Sequence, residues 1–322
     1  MKRIGYLIIV LCISIALSAC STGQYSDAKK KDVSTNNKIN IYTTVFAFES
    51  FTKQIGGKYV NVDTIYPPGA DTHSYEPTQR DMINIAKSDL FIYSSDDLDP
   101  VAKTITQSMT NDDMKLAVAA DLNHHTLLEE DHDHEDHDQH HSHEEESHDP
   151  HVWLDPVLDK HFAEKIKNDL VKRDPQHKAY YEQNFKKLNQ DLTDLDNNLK
   201  TITKNPKREK VTISHDSLGY LAERYHFQQE GVSGMNNEEP SQKDILALIK
   251  QINQSKQPYI LYEQNITSKI TDVIRDETNA EPVSFNNLSV LSKEQANDKD
   301  LTFQSIMKKN IKALDKALNK LV

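Results

Sequence analysis

The stretch "PQHKAYYEQNFKKLNQDLTDLDNNLKTITKNP", from Pro175 to Pro206, carries one continuous apolar stripe. Its apolar residues recur at alternating spacings of four and three, the pattern of one face of a helix. They are Tyr181, Phe185, Leu188, Leu192, Leu195, Leu199 and Ile202. No proline or glycine interrupts the stretch internally, so we predict one helix over residues 176–205, roughly 37 Å long for about 25 residues. An ordinary amphipathic core helix has the same pattern, but this length favours a connecting helix.

Short strand-like runs alternate with helix-like runs on both sides of this helix. "INIYTTV", "VNVDTIY", "LFIYS" and "KLAVAA" precede it, and "KVTIS", "FQQEGVSG", "YILY" and "PVSF" follow it. Such alternation is typical of mainly parallel sheets covered by helices. We therefore predict an α/β protein with an N-terminal lobe (38–175) and a C-terminal lobe (206–322), joined by one long rigid helix.

The N-terminus has the features of an export signal. Lys2 and Arg3 precede the apolar run "IGYLIIVLCISIAL", which is short for a membrane span and ends in "LSAC". This ending resembles the lipobox of bacterial lipoproteins, in which the peptide is cut before a cysteine that is then acylated. We predict a signal peptide over 1–19, lipidation at Cys20 and a flexible tether over 20–37, so that the protein is anchored to the extracytoplasmic face of the cell membrane. The alternative is an ordinary secretory signal with a chance cysteine.

The cysteine content limits the possible metal ligands, and the net charge limits the possible partners. The only other cysteine, Cys12, would leave with the signal peptide, so any metal site must use His, Asp or Glu. The formal net charge of −12 argues against a nucleic-acid partner, which requires a basic patch.

An acidic, histidine-rich tract interrupts the N-terminal section. Nine histidines lie between His124 and His148, and no apolar residue occurs from Glu129 to Pro150. Because such a segment has no core to bury, we predict a mobile loop over 122–149. As an accessory metal loop it would use His132, His134, His137, His140, His141, His143 and His148. The alternative is a solvated low-complexity insert.

Three further histidines lie near the ends of separate predicted elements. His73 follows the second strand, His151 closes the acidic tract, and His215 stands where "KVTIS" meets its helix. In open α/β sheets, ligands bind at the carboxyl ends of strands. The pattern alone leaves a structural role and a metal-binding role about equally favoured.

Four motifs together carry a resemblance that covers the mature chain in order: "PPGADTHSYEPTQRD", "DPHVWLDP", "SHDSLGYLAERYHF" and "GVSGMNNEEPSQKDI". They resemble the metal-binding solute-binding lipoproteins of bacterial zinc and manganese ABC importers. The resemblance implies a metal held in the cleft between two lobes, with His73, His151 and His215 as ligands. It also implies a monomer that delivers the metal to a membrane permease driven by a cytoplasmic ATPase, and no enzymatic activity.

The fourth ligand is left open by the motifs. The family has an Asp or Glu late in the second lobe, where this chain has Ser289, and a proline where this chain has Thr72. The fourth position therefore falls to water, to a rearranged residue, or to Glu263 at the end of the "YILY" strand.

The ligand type favours zinc. Three imidazoles suit Zn²⁺, whereas Mn²⁺ prefers more carboxylate oxygen, and the resemblance associates a histidine at position 215 with zinc binders. One alternative is a manganese-binding member of the same family. Another is a zinc-dependent hydrolase with Glu263 or Asp155 as general base, although no H-E-x-x-H motif is present. A third is an adhesin or passive surface zinc store built on the acidic tract.

Overall fold

The structure is a computed structural model of the 322-residue chain. It describes residues 31–123, 125–128, 148–236, 238, 240–264 and 269–320. The predicted signal peptide, Cys20 and the accessory histidines at 132, 134, 137, 140, 141 and 143 lie outside the described residues.

The N-terminal lobe is built on a four-stranded parallel sheet of order β2-β1-β3-β4. Its elements, in chain order, are β1 Ile39–Thr43, α1 Phe46–Gly56, β2 Val60–Thr64, α2 Gln79–Ala86, β3 Leu90–Tyr93, α3 Pro100–Ser108 and β4 Lys115–Ala117. Helix α1 ends where Gly57 adopts a φ of 51°, a positive value that glycine takes at little cost.

Two long helices follow, α4 over Pro156–Arg173 and α5 over Lys178–Thr203. The 26 residues of α5 correspond to about 39 Å at 1.5 Å per residue. Five residues of the predicted stripe are fully buried on it, namely Tyr181, Leu188, Leu192, Leu195 and Leu199. Helix α5 packs against α4, α1 and the C-terminal helix of the chain.

The C-terminal lobe repeats the architecture with a parallel sheet of order β6-β5-β7-β8. Its elements are β5 Lys210–His215, α6 Gly219–Tyr225, β6 Gln228–Ser233, α7 Gln242–Ser255, β7 Tyr259–Glu263, α8 Lys269–Glu277, β8 Glu281–Phe285 and α9 Phe303–Asn319. Two parallel-sheet lobes and a long helix between them confirm the predicted fold class.

Direct contacts join the two lobes. The Phe46 N–H donates to the Ser289 carbonyl at 2.7 Å, and the Ala47 N–H donates to the Leu288 carbonyl at 3.2 Å. The first N–H groups of a helix have no partner within it, so the C-terminal lobe satisfies the start of α1. The rings of Phe51 and Phe303 also meet at a centroid distance of 4.9 Å. Hydrogen bonds and core packing therefore both cross between the lobes.

Among the described residues, no helix has both the length and the apolar character needed to cross a membrane.

Candidate metal centre

The three predicted histidines converge between the lobes. His73 lies in the loop between β2 and α2, His151 precedes the short 3-10 turn Val152–Leu154, and His215 is the last residue of β5. Their ring centroids are 5.0 to 5.6 Å apart. One nitrogen from each ring lies within 4.8 Å of the other two. In a tetrahedral zinc site with bonds of 2.0–2.1 Å, the nitrogens are about 3.4 Å apart, so each nitrogen pair would have to close by at most about 1.4 Å.

His151 is held by Asp149. Its ring Nδ1 lies 2.7 Å from Asp149 Oδ1, and its backbone N–H donates to the same oxygen at 2.9 Å. The contact occupies Nδ1 and leaves Nε2 of His151 as the nitrogen available to a metal. A carboxylate on the outer nitrogen of a metal-binding histidine is a recurrent arrangement, because it fixes the tautomer and the ring orientation.

Neighbouring residues place Asp149 itself. Its carbonyl accepts a hydrogen bond from the Tyr220 hydroxyl at 2.9 Å. A side chain at Gly219 would collide with Asp149 Oδ2, so glycine at the start of α6 leaves room for this carboxylate. Sequence reasoning did not assign Asp149, Gly219 or Tyr220 to the site, although "DPHVWLDP" contains the first and "SHDSLGYLAERYHF" the other two.

His215 has a partner on each ring nitrogen. Its Nδ1 lies 3.1 Å from Glu263 Oε2, and its Nε2 lies 2.8 Å from the Met235 carbonyl oxygen. Burial alone would lower the pKa of His215, but the negative charge of Glu263 and these two hydrogen bonds raise it to about 9. His215 is therefore protonated at neutral pH in the metal-free chain, and both of its nitrogens donate.

His73 and His151 are neutral at the same pH. Burial, and then the positive charge of the neighbouring histidines, lowers the pKa of His73 to about 4. Burial, and then the charge of His215, lowers the pKa of His151 to about 3. The Nε2 of His73 is buried and has no hydrogen-bond partner among the described residues. Because an unpaired buried polar atom is costly, this unpartnered nitrogen fits a site that takes a cation.

Glu263 is a fully engaged carboxylate at the end of β7. Its Oε2 accepts from His215 and, at 2.8 Å, from the Asn287 amide, while its Oε1 accepts from the Ser217 hydroxyl. Burial raises the pKa of Glu263, but the positive charge of His215 and the hydrogen bonds outweigh that effect and lower it below the ordinary value. The carboxylate is therefore charged and lies on the outer side of His215.

Ser289 is buried where the two lobes meet, and its carbonyl accepts from the Phe46 N–H. Its hydroxyl donates to Asn287 Oδ1 at 2.6 Å. Asn287 also accepts a hydrogen bond from Trp153 Nε1 on its carbonyl at 2.7 Å. Asn287 and Ser217 thus support the site through Glu263. Ser217 lies within the motif "SHDSLGYLAERYHF" without having been assigned a role, and Asn287 lies outside the four motifs.

The chain matches the family model described as ZnuA, zinc-uptake complex component A, periplasmic, over residues 41–317. It belongs to this family. A relative from Bacillus subtilis (strain 168), the high-affinity zinc uptake system protein ZnuA, is 33% identical over 318 residues, and the match covers 98% of each chain.

Solved structures show the same likeness to the ZnuA family. The metal-dependent lipoprotein YcdH of Bacillus subtilis superposes with a TM-score of 0.71 at 31% identity, covering 87% of this chain and 99% of that one. The Zn(II)-bound ZnuA-like domain of AdcA from Streptococcus pneumoniae superposes with a TM-score of 0.72 at 25% identity, covering 88% of this chain and all of the other.

Family membership settles the class of function. ZnuA-type proteins are the substrate-binding components of ABC transporters and not enzymes, which confirms that prediction and leaves the zinc-hydrolase alternative without support. It also implies a permease and an ATPase as partners, and a place outside the cytoplasm.

Proposed function

We propose that this chain is the extracytoplasmic subunit of a zinc importer that captures Zn²⁺ with His73, His151 and His215. The observation that carries the proposal is the convergence of one nitrogen from each ring within 4.8 Å, between two lobes. The supporting relatives are named for zinc uptake or were solved with zinc bound. An all-imidazole ligand set also favours Zn²⁺ over Mn²⁺.

The three proposed ligand histidines differ in their hydrogen-bond partners. His151 is held with Nε2 inward by Asp149, and His73 presents a nitrogen without a competing partner among the described residues. His215 is held by Glu263 on Nδ1, so Zn²⁺ would take the place of the proton on Nε2. The bound Zn²⁺ then replaces the positive charge of the lost proton, so the buried Glu263 carboxylate stays paired with a positive charge.

Glu263 serves in this proposal as the residue that positions His215, and the fourth ligand is water. Glu263 would have to give up hydrogen bonds to Ser217, Asn287 and His215 to reach the ion. Ser289 is a weak ligand at best, because its neutral hydroxyl is bonded to Asn287.

The wider role follows from the N-terminus and the histidine-rich tract. Acylation of Cys20 would hold a monomer at the membrane, beside its permease and ATPase. The relative from Bacillus subtilis whose structure is solved is itself named a lipoprotein. The accessory loop over 122–149 would collect zinc for the central site.

Zinc titration of the full chain with metal analysis tests the proposal. We expect one tight site in the wild type and its loss in His73→Ala, with weaker sites remaining in both. His161→Ala is the matched control, because His161 is exposed on α4 and pairs with Asp121 at 3.0 Å. A tight site that survives His73→Ala would refute the assignment.

A further inference from the structure

A cavity of about 280 Å³ opens beside the histidine cluster. It has room for roughly nine waters at about 30 Å³ each, so a divalent cation can occupy it with its hydration shell. Its chemically distinctive lining residues are His73, Asp97, Asp99, His148, Trp153 and Asn236. Residues from both lobes therefore form its wall.

Only one of the three proposed ligands lines this cavity. His151 is 1% exposed and His215 is fully buried, whereas His73 is partly exposed and faces the cavity. An ion that enters from this side meets the His73 ring first, reaches its buried Nε2 from there, and meets the other two rings afterwards.

The wall of the cavity suits a cation. Asp97 is an exposed carboxylate. Asp99 is buried and caps α3 by accepting from the Ala102 N–H at 2.8 Å. Burial raises the pKa of Asp99 to about 6, which still leaves it mostly charged at neutral pH. His148, partly buried, adds an imidazole between the acidic tract and the site.

We propose that this cavity is the access route for a hydrated divalent cation, in which Asp97 attracts the ion and His148 coordinates it transiently before His73 receives it. The proposal rests on the proposed function, since it assumes that the three histidines hold the ion. His148 is then a residue of the route and not a ligand of the final site.

A residue that contacts the ion only along the access route changes the rates of binding and release and leaves Kd unchanged. Removing a transient ligand raises the barrier for entering and leaving equally, so the association and dissociation rates fall by the same factor and Kd stays constant. A charge at the mouth accelerates association through steering, and salt weakens this effect.

Stopped-flow measurements on the full chain with Zn²⁺ alone test the route. Trp153, the single tryptophan of the chain, lines the cavity, and its ring centroid is 5.5 Å from that of His151. Its fluorescence therefore reports arrival of the ion, and exchange with a chromophoric chelator gives the dissociation rate independently.

Two variants are compared with two matched controls, once thermal unfolding has shown that all four are as stable as the wild type. We expect His148→Gln to slow association and dissociation about fivefold each, with Kd within about twofold of the wild type. We expect Asp97→Asn to slow association about threefold at roughly 0.01 M salt and not at all near 1 M. His161→Gln and Asp113→Asn remove an exposed imidazole and an exposed carboxylate elsewhere, and both should match the wild type.

Unchanged rates in both His148→Gln and Asp97→Asn would overturn the route while leaving a tight zinc site intact. A higher Kd with an unchanged association rate in His148→Gln would also overturn it, and would make His148 a ligand. Absence of a tight site in the wild type would instead refute the proposed function itself.

Discussion

The Nε2 of His215 donates a hydrogen bond of 2.8 Å to the carbonyl oxygen of Met235. This nitrogen is the one that faces away from Glu263, so it is the one available to a metal. The Met235 carbonyl and the ion therefore compete for the same position on the ring. If His215 binds the ion as proposed, it must lose a proton, and the Met235 carbonyl must move away.

Zinc affinity should depend on pH through a single proton. The pKa of His215 is raised to about 9 by Glu263 and by the hydrogen bonds, despite burial, so the ring is protonated below that pH when metal is absent. Each bound ion then releases about one proton, and affinity falls about tenfold per unit as pH decreases. His73 and His151, with pKa values of about 4 and about 3, add further protons only in acid.

Calorimetry in buffers of different ionisation enthalpy measures that proton directly. The sequence alone predicts weakening through about pH 6.5, the ordinary histidine value, whereas the structure extends a slope of one up to about pH 9. Flat affinity between pH 7.5 and 5.5 would contradict three-histidine ligation.

The stability of the metal-free chain should decrease as pH rises towards about 9, whereas zinc affinity should increase. A pKa raised in the folded state gives stability that is complete below the unfolded value of about 6.5 and is lost as pH rises through about 9. Urea denaturation without metal should therefore show a decline between pH 7 and pH 9. Glu263→Gln removes the charge that raises the pKa of His215 and should abolish this decline, whereas a decline of equal size in that variant would assign it to other groups.

Glu263→Gln should also weaken zinc binding about 10- to 100-fold, because a carboxylate behind a metal-binding histidine orients the ring and increases its basicity. Glutamine can still accept from Nδ1 of His215, so the fold should persist. Glu209→Gln, an exposed position in the same lobe, is the control. A loss as large as that of His73→Ala would make Glu263 a direct ligand.

Release of the Met235 carbonyl should loosen the backbone around it. The Gly234 N–H donates to the Glu238 carbonyl at 3.0 Å, and the Asn236 N–H donates to the Glu238 carboxylate at 3.1 Å. Zinc should therefore speed hydrogen exchange at Gly234 and Asn236 and leave Thr212 in β5 unchanged. Equal exchange with and without zinc would mean that the carbonyl stays in place.

Local patterns in the sequence were enough to predict the fold. The helix predicted over 176–205 is observed as Lys178–Thr203, because its period and its lack of breakers are properties of neighbouring residues. The same is true of the strands, whose short apolar runs pair in parallel in both lobes.

The support around the metal centre was not predictable in the same way. Motifs predicted that the three histidines lie together, as the structure shows, but the Met235 carbonyl is a backbone atom that any residue would supply. Asn287 reaches Glu263 across 24 positions, and neither periodicity nor composition encodes such a contact. Short-range patterns predict elements, whereas these partners depend on how the lobes pack.

The packing of α5 gives a last prediction, about stability. Leu192 is fully buried on its apolar stripe. Replacing a buried leucine by alanine leaves a cavity, so Leu192→Ala should lower the free energy of unfolding by about 2–5 kcal/mol. Asn198→Ala removes an exposed side chain from the same helix and should change the free energy of unfolding by less than about 0.5 kcal/mol.

Because α5 packs against α1 of one lobe and α9 of the other, both lobes should unfold in one transition that shifts as a whole in denaturant. Two separated transitions in Leu192→Ala, with zinc binding lost only in one, would show that α5 stabilises one lobe alone.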